Sequence, residues 1–171
     1  IVLLCRTGMG LPTVLIGLLG YALLSRRGPL GGLDLLFTPW AIVGGEFLLA
    51  FPLVVTLTHG ALARQDPRIA ETALTLGAGP LRRGLTYLSE VRLAVALALL
   101  TAFSRCFSEL GIAMMVGGNL KFRTRTLATA TALETAQGEF SRGVAMSLIL
   151  LFIGLLVTLL VGVLERANRS D

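Results

Sequence analysis

The chain has 171 residues, 54% of them apolar, with a mean hydropathy of +0.81 and a formal net charge of +5. That is more apolar residue than a soluble domain of ordinary composition carries, and long charge-free windows make the chain an all-α integral membrane protein. The positive balance does not point to nucleic acid, because the basic residues flank apolar runs without aromatic interleaving, which is where interfacial arginine belongs.

The chain opens at Ile1 inside an apolar stretch, Ile1–Cys5, too short to span. It has no small-residue cleavage pattern ahead of the first span, so the start reads as a fragment that has lost one or two upstream helices, not as a signal peptide. Between Arg6 and Arg26 lie 19 uncharged residues, enough to cross roughly 30 Å of hydrocarbon as helix. The first span is placed at about 8–25, with Pro12 near its start and Gly10, Gly17 and Gly20 giving flat faces for close helix contact. The connector Arg26–Thr38 carries Gly28-Pro29-Leu30-Gly31-Gly32, a turn composition without helical period. The second span, 39–63, holds Glu46 and His59 as its only acid and base, with Gly44, Gly45 and Pro52 as bend points.

A polar island follows at 64–90. Asp66 before Pro67 is a helix start, a carboxylate cap with proline at the first position. Good helix formers run from Arg68 to Leu76, Gly77 suits a left-handed stop, and Pro80 opens a second helix through Leu81–Leu88. The third span is expected at 91–117. Its Ala94, Ala98 and Ala102 form a small-residue ridge, and it is interrupted by Arg105 and Glu109, four apart on one face. Asn119–Phe140 is polar, with one short helix, Leu127–Gln137, ended by Gly138. The last span, 143–164, contains 22 uncharged residues, and Glu165–Asp171 is a solvated tail.

The organisation is therefore one transmembrane domain over 1–171, with four spans and no internal repeat. Cys5 and Cys106 do not make a disulfide framework, Cys106 reads as a small packing residue, and no His/Cys cluster suggests a metal. With the island on the cytoplasmic side, eight basic residues lie inside against six outside, in the direction of the positive-inside rule. The chain has no nucleophile elbow, no HExxH and no GxxxxGK[ST], so it is not read as an enzyme, and any ATP hydrolysis falls to a partner.

Several spaced motifs together resemble a known family. Residues 6–31, RTGMGLPTVLIGLLGYALLSRRGPLG, are similar to the helix and loop of molybdate- and tungstate-type ABC importer permeases. Glu71-Thr72-Ala73, three residues, then Gly77 resembles the EAA loop of these permeases. Ser108-Glu109-Leu110-Gly111 stands where molybdate permeases read GEFG, and Gly117-Gly118-Asn119 followed by TRTLATATALETAQGEF resembles the tungstate branch. Ser89-Glu90 replaces the Leu-Pro pair that ends many EAA loops, a tungstate-type trait, and Ser108 in place of glycine counts against molybdate.

The resemblance implies a type I importer membrane subunit in the plasma membrane, carrying a tetrahedral oxyanion: tungstate first, molybdate or sulfate as alternatives. It implies no cofactor on this chain, with ATP on a cytoplasmic ATPase subunit docked at Glu71, Thr72, Ala73, Gly77, Ala78 and Pro80. It also implies a periplasmic or lipoprotein oxyanion-binding protein and a second copy of the chain about a two-fold axis. Outer-gate and binding-protein contact candidates are Gly117, Gly118, Asn119, Arg123 and Arg125, and translocation-path candidates are Glu46, Arg105, Ser108 and Glu109.

Each carries a plainer reading. The island also suits an amphipathic interfacial helix with Arg68, Arg82 and Arg83 at the headgroups. Arg105 and Glu109 also suit mutual neutralisation with Glu46 nearby, and this is favoured because a binding protein would already supply specificity. His59 reads as interfacial, and Met114 and Met115 as packing. Of other classes, a secondary transporter calls for interrupted helices in two related halves, and a channel for a filter or a ring of like charge. Only Gly117-Gly118-Asn119 hints at a filter, weakly.

Overall fold

The computed structural model describes residues 2–66, 68, 72, 75 and 77–169. Among them are eight α-helices: α1 (Val2–Gly8), α2 (Thr13–Leu24), α3 (Pro39–Leu62), α4 (Pro80–Glu90), α5 (Arg92–Phe107), α6 (Gly111–Gly117), α7 (Leu127–Ala136) and α8 (Phe140–Arg169). One 3-10 turn, Gly31–Leu33, interrupts the glycine-rich connector.

Two segments are long and apolar enough to cross a bilayer unaided, Pro39–Leu62 and Phe140–Val163. At 1.5 Å per residue each 24-residue segment reaches roughly 36 Å, longer than the hydrocarbon core. The other two expected spans are built differently. α2 alone would reach only about 18 Å, and it is bent by 100° from α1 across Met9–Pro12. α4 and α5 meet at 68° around Val91, and counting each bent pair as one span brings the total to four. The stretch expected to run unbroken over 91–117 stops at Phe107 and restarts at Gly111.

α3 is the central strut, packing on α1, α5 and α6, while α2 packs on α6, α5 on α8, and α7 on α8. Thr38 starts it, its hydroxyl accepting the Ala41 N–H at 3.4 Å with Pro39 in the first turn. The helix continues through Gly44, Gly45 and Pro52. The tightest packing is where α6 sinks between α2 and α3. Ala41, Leu49, Ile112 and Val116 form the buried cluster, edged by Ile16, Leu24, Leu36, Ile42 and Cys106. Glycines make this possible: a Cβ on Gly17 would stand 2.9 Å from Met115 Cβ, one on Gly20 3.0 Å from Val116, and one on Gly45 would run into Ile112. Small residues at such crossings bring helices into the close contact that membrane packing depends on. The alanine ridge behaves alike, with Ala98 and Ala102 buried.

Candidate functional site

The break at Ser108–Leu110 is organised by one carboxylate. Glu109 is 5% exposed, and its Oε1 accepts the N–H of Gly111 at 2.7 Å and of Ile112 at 3.4 Å. These are first-turn amides of α6, which have no partner within their own helix. The other oxygen, Oε2, accepts from Arg105 Nη1 at 2.8 Å. A Cβ on Gly111 would come within 3.1 Å of Thr13 Oγ1 and 3.2 Å of Glu109 Oε1, so the N-terminus of α2 closes this corner. Every interaction at this point holds α6 in place. Without the Glu109 carboxylate the Gly111 and Ile112 amides would lose their acceptor, at about 1–3 kcal/mol.

The pair is asymmetric: the Glu109 side chain is 4% exposed and that of Arg105 is 48%. Arg105 lies roughly 20 Å along α5 from Arg92 and faces a cleft of about 400 Å³ between α5 and α8. Ser108, at the C-cap of α5, lines the same cleft. On the neighbouring helix, Glu46 offers its backbone carbonyl to Cys106 Sγ at 3.6 Å, and its carboxyl Oε2 is buried with no hydrogen-bond partner among the described residues. Arg105 and Ser108 thus line the α5–α8 cleft, Glu109 is tied to the start of α6, and Glu46 lies against Cys106 where α3 and α5 pack.

The outer-gate candidates form a separate knot. Gly117 ends α6, Gly118 (φ +70) and Asn119 (φ +49) turn left-handed, and a Cβ on Gly118 would strike the Phe37 ring at 2.6 Å. Thr124 Oγ1 donates to the Gly117 carbonyl at 2.6 Å and accepts the Leu120 N–H at 2.9 Å. Asn119 Nδ2 donates to the Thr129 carbonyl at 3.4 Å, while Arg125 Nε donates to Asn119 Oδ1 at 3.1 Å. Arg125 is thus tied into the turn, and Arg123 is exposed beside it. Phe122, at φ +63 and 92% exposed, lies under the Lys121 ammonium, whose nitrogen is 5.1 Å from the ring centre. A bulky residue in this backbone region is uncommon.

In the polar island, Glu71 and Ala73 lie outside the described residues. Asp66 Oδ1 accepts the Arg68 N–H at 2.9 Å, a carboxylate cap. Gly77 turns at φ +72, with open space where a Cβ would stand. Ala78 and Gly79 lead to Pro80 at the first turn of α4, and Thr72 is exposed. α4 buries no residue: Leu81, Leu85 and Leu88 stand 85%, 67% and 45% exposed on one face. Sequence reading passed over these leucines, although their spacing of four and three is the signal of an apolar helix face. It also missed Thr13, Thr101, Ser104 and Thr158, hydroxyls in apolar runs that only the packing places, and Thr124 in the basic stretch after the glycine turn.

Residues 1–170 match the family described as binding-protein-dependent transport system inner membrane component. A tungstate uptake system permease protein of Campylobacter jejuni is 39% identical over 164 residues, 96% of this chain and 69% of that relative. One of the same name from Peptoclostridium acidaminophilum is 36% identical, covering 92% of this chain and 69% of that protein. A molybdenum transport system permease protein of Escherichia coli K12 is 30% identical, covering 86% and 70% respectively.

Proposed function

The chain belongs to the family of inner membrane components of binding-protein-dependent transport systems, and from that premise we propose that it is the permease subunit of an ATP-driven tungstate importer. The observation that carries the choice of anion is its 39% identity, across 96% of its length, to a permease named for tungstate uptake. The molybdenum relative, at 30%, supports the same class of tetrahedral oxyanion and makes molybdate the second reading. Two copies of the chain surround the path about a two-fold axis. A separate binding protein delivers the anion to the face built from Arg26–Thr38 and Asn119–Arg142, with the Gly117–Asn119 turn, Arg123 and Arg125 at the contact.

ATP is bound and hydrolysed on a separate cytoplasmic subunit. That subunit docks on the island around Glu71–Pro80, where the leucine face of α4 is exposed among the described residues and a 68° bend joins α4 to α5. Motion of the docked surface is carried into α5 as a rigid unit, since packed helices shift between discrete arrangements. The bend therefore links nucleotide closure to the helix bearing Arg105. The experiment is uptake of radiolabelled tungstate, molybdate and sulfate by the complex reconstituted with its ATPase and binding protein. ATP-dependent tungstate accumulation is expected; accumulation of none of the three would overturn the reading.

A further inference from the structure

We propose that the cleft between α5 and α8 is a transient oxyanion-binding site, with Arg105 as its charge and the hydroxyls of Thr101, Ser104, Ser108 and Thr158 as its donors. The proposal deepens the importer reading above and rests on it. If Arg105 and Glu109 only neutralised each other, both ends would be expected to be buried; instead the carboxylate is enclosed and the guanidinium faces out. Of the five N–H donors of arginine, Glu109 takes one, through Nη1. An arginine half-exposed at membrane depth is costly against hydrocarbon, so the cleft it faces opens on water.

The hydroxyls are placed as a responsive lining. Thr101, Arg105 and Ser108 repeat at four and three residues along α5, and Thr158 approaches from α8. Each of three hydroxyls bonds to its own helix: Thr101 to the Leu97 carbonyl at 2.8 Å, Ser108 to that of Arg105 at 3.2 Å, Thr158 to that of Gly154 at 2.9 Å. A hydroxyl can rotate from such a bond, so each of the three can turn its proton toward an entering oxyanion. Val157 and Val161 complete the wall without donors that would hold the anion harder.

Size and charge make the site weak. A volume of about 400 Å³ corresponds to roughly a dozen waters at ~30 Å³ each, so a dianion enters with part of its hydration shell. Glu109 cancels the charge of Arg105 locally, and a conducting site must release as readily as it binds. Glu109 is thus a positioning residue with a second effect: it caps α6 and keeps Arg105 from becoming a trap.

The test has two arms. In the first, purified permease in nanodiscs, without binding protein, is titrated with radiolabelled tungstate. Glu109→Gln retains an amide oxygen for the Gly111 and Ile112 N–H groups while removing the countercharge, and should bind tungstate at least tenfold tighter than wild type. Adding Arg105→Gln should return binding to the wild-type level. In the second, Ser104→Ala with Thr158→Val leaves the ion pair untouched. In the full complex it should cut maximal uptake five- to tenfold, the melting temperature of the variant permease showing that it is folded. Glu109→Gln without tighter binding, tighter binding that survives Arg105→Gln, or normal uptake by the hydroxyl variant would each overturn the proposal. Should Glu109→Gln fail to fold, as read by its melting temperature, the second arm decides alone. Failure of the wild-type complex to move tungstate would instead count against the importer reading. The cleft is then judged with whichever oxyanion the complex does move.

Discussion

Ile112 has no exposed surface and sits where Gly45 of α3 makes room for it, whereas Leu81 on α4 is 85% exposed. Both are large aliphatic residues in helices of the same chain. Around Ile112 the first-turn amides of α6 are met by Glu109, the glycine turn is held by Thr124 and Asn119, and the side chains interlock. Around Leu81 a stripe of three leucines is exposed among the described residues, next to Arg82 and Arg83. The first region completes itself within one chain. The second is an apolar face left exposed among the described residues, and it sits at the bend that leads into α5.

Four substitutions would break or sharpen that contrast. Gly45→Val and Ile112→Ala should have the largest effects; in Gly45→Val even the Cβ would collide with Ile112 in the crossing of α3 and α6. Overpacking costs about 1–3 kcal/mol and occasionally more; the expected outcome is a permease that fails to accumulate in membranes or melts far below wild type. Ile112→Ala opens a cavity at the same point and should cost about 2–5 kcal/mol, read as a lowered melting temperature in detergent. Leu85→Ser, at a position 67% exposed, should leave that melting temperature within experimental scatter and yet weaken co-purification of the ATPase several-fold. Equal damage to both would mean that the leucine face packs within the chain. Arg142→Gln should do least. Its pair with Glu134 spans 3.7 Å on a side chain 69% exposed, and exposed pairs contribute about 0–1 kcal/mol.

Much of the local structure was legible. Gly77 takes the left-handed turn its position suggested, Pro80 opens a helix, and Leu127–Ala136 ends before Gly138 at φ +83. These features depend on single residues whose backbone preferences act locally. Arg105 and Glu109 were placed on one face by spacing alone, and they do pair. The break after Phe107 was not legible, because hydropathy averages over a window while the break turns on one buried carboxylate capturing two amides. The signal was nonetheless there, a glutamate two residues before Gly111 in an apolar run. The 100° bend between α1 and α2 was missed for a related reason: an uncharged window reports that residues prefer hydrocarbon, not that they form one straight helix. The α5/α8 cleft was beyond reach, since its lining joins Arg105 to Thr158 across a fold that neither segment encodes alone.

The central claim is that the island works through a partner while the bundle stands without it, and Gly77→Val tests this most directly. Valine at φ +72 is strongly disfavoured, so the turn must rearrange, yet open space around the position leaves the packed helices untouched. The measurement is co-purification of the variant with its ATPase, alongside thermal melting of the variant permease. The account predicts a melting temperature like that of wild type and a permease that no longer holds, or no longer responds to, the ATPase. Normal ATPase binding together with normal tungstate transport would contradict it.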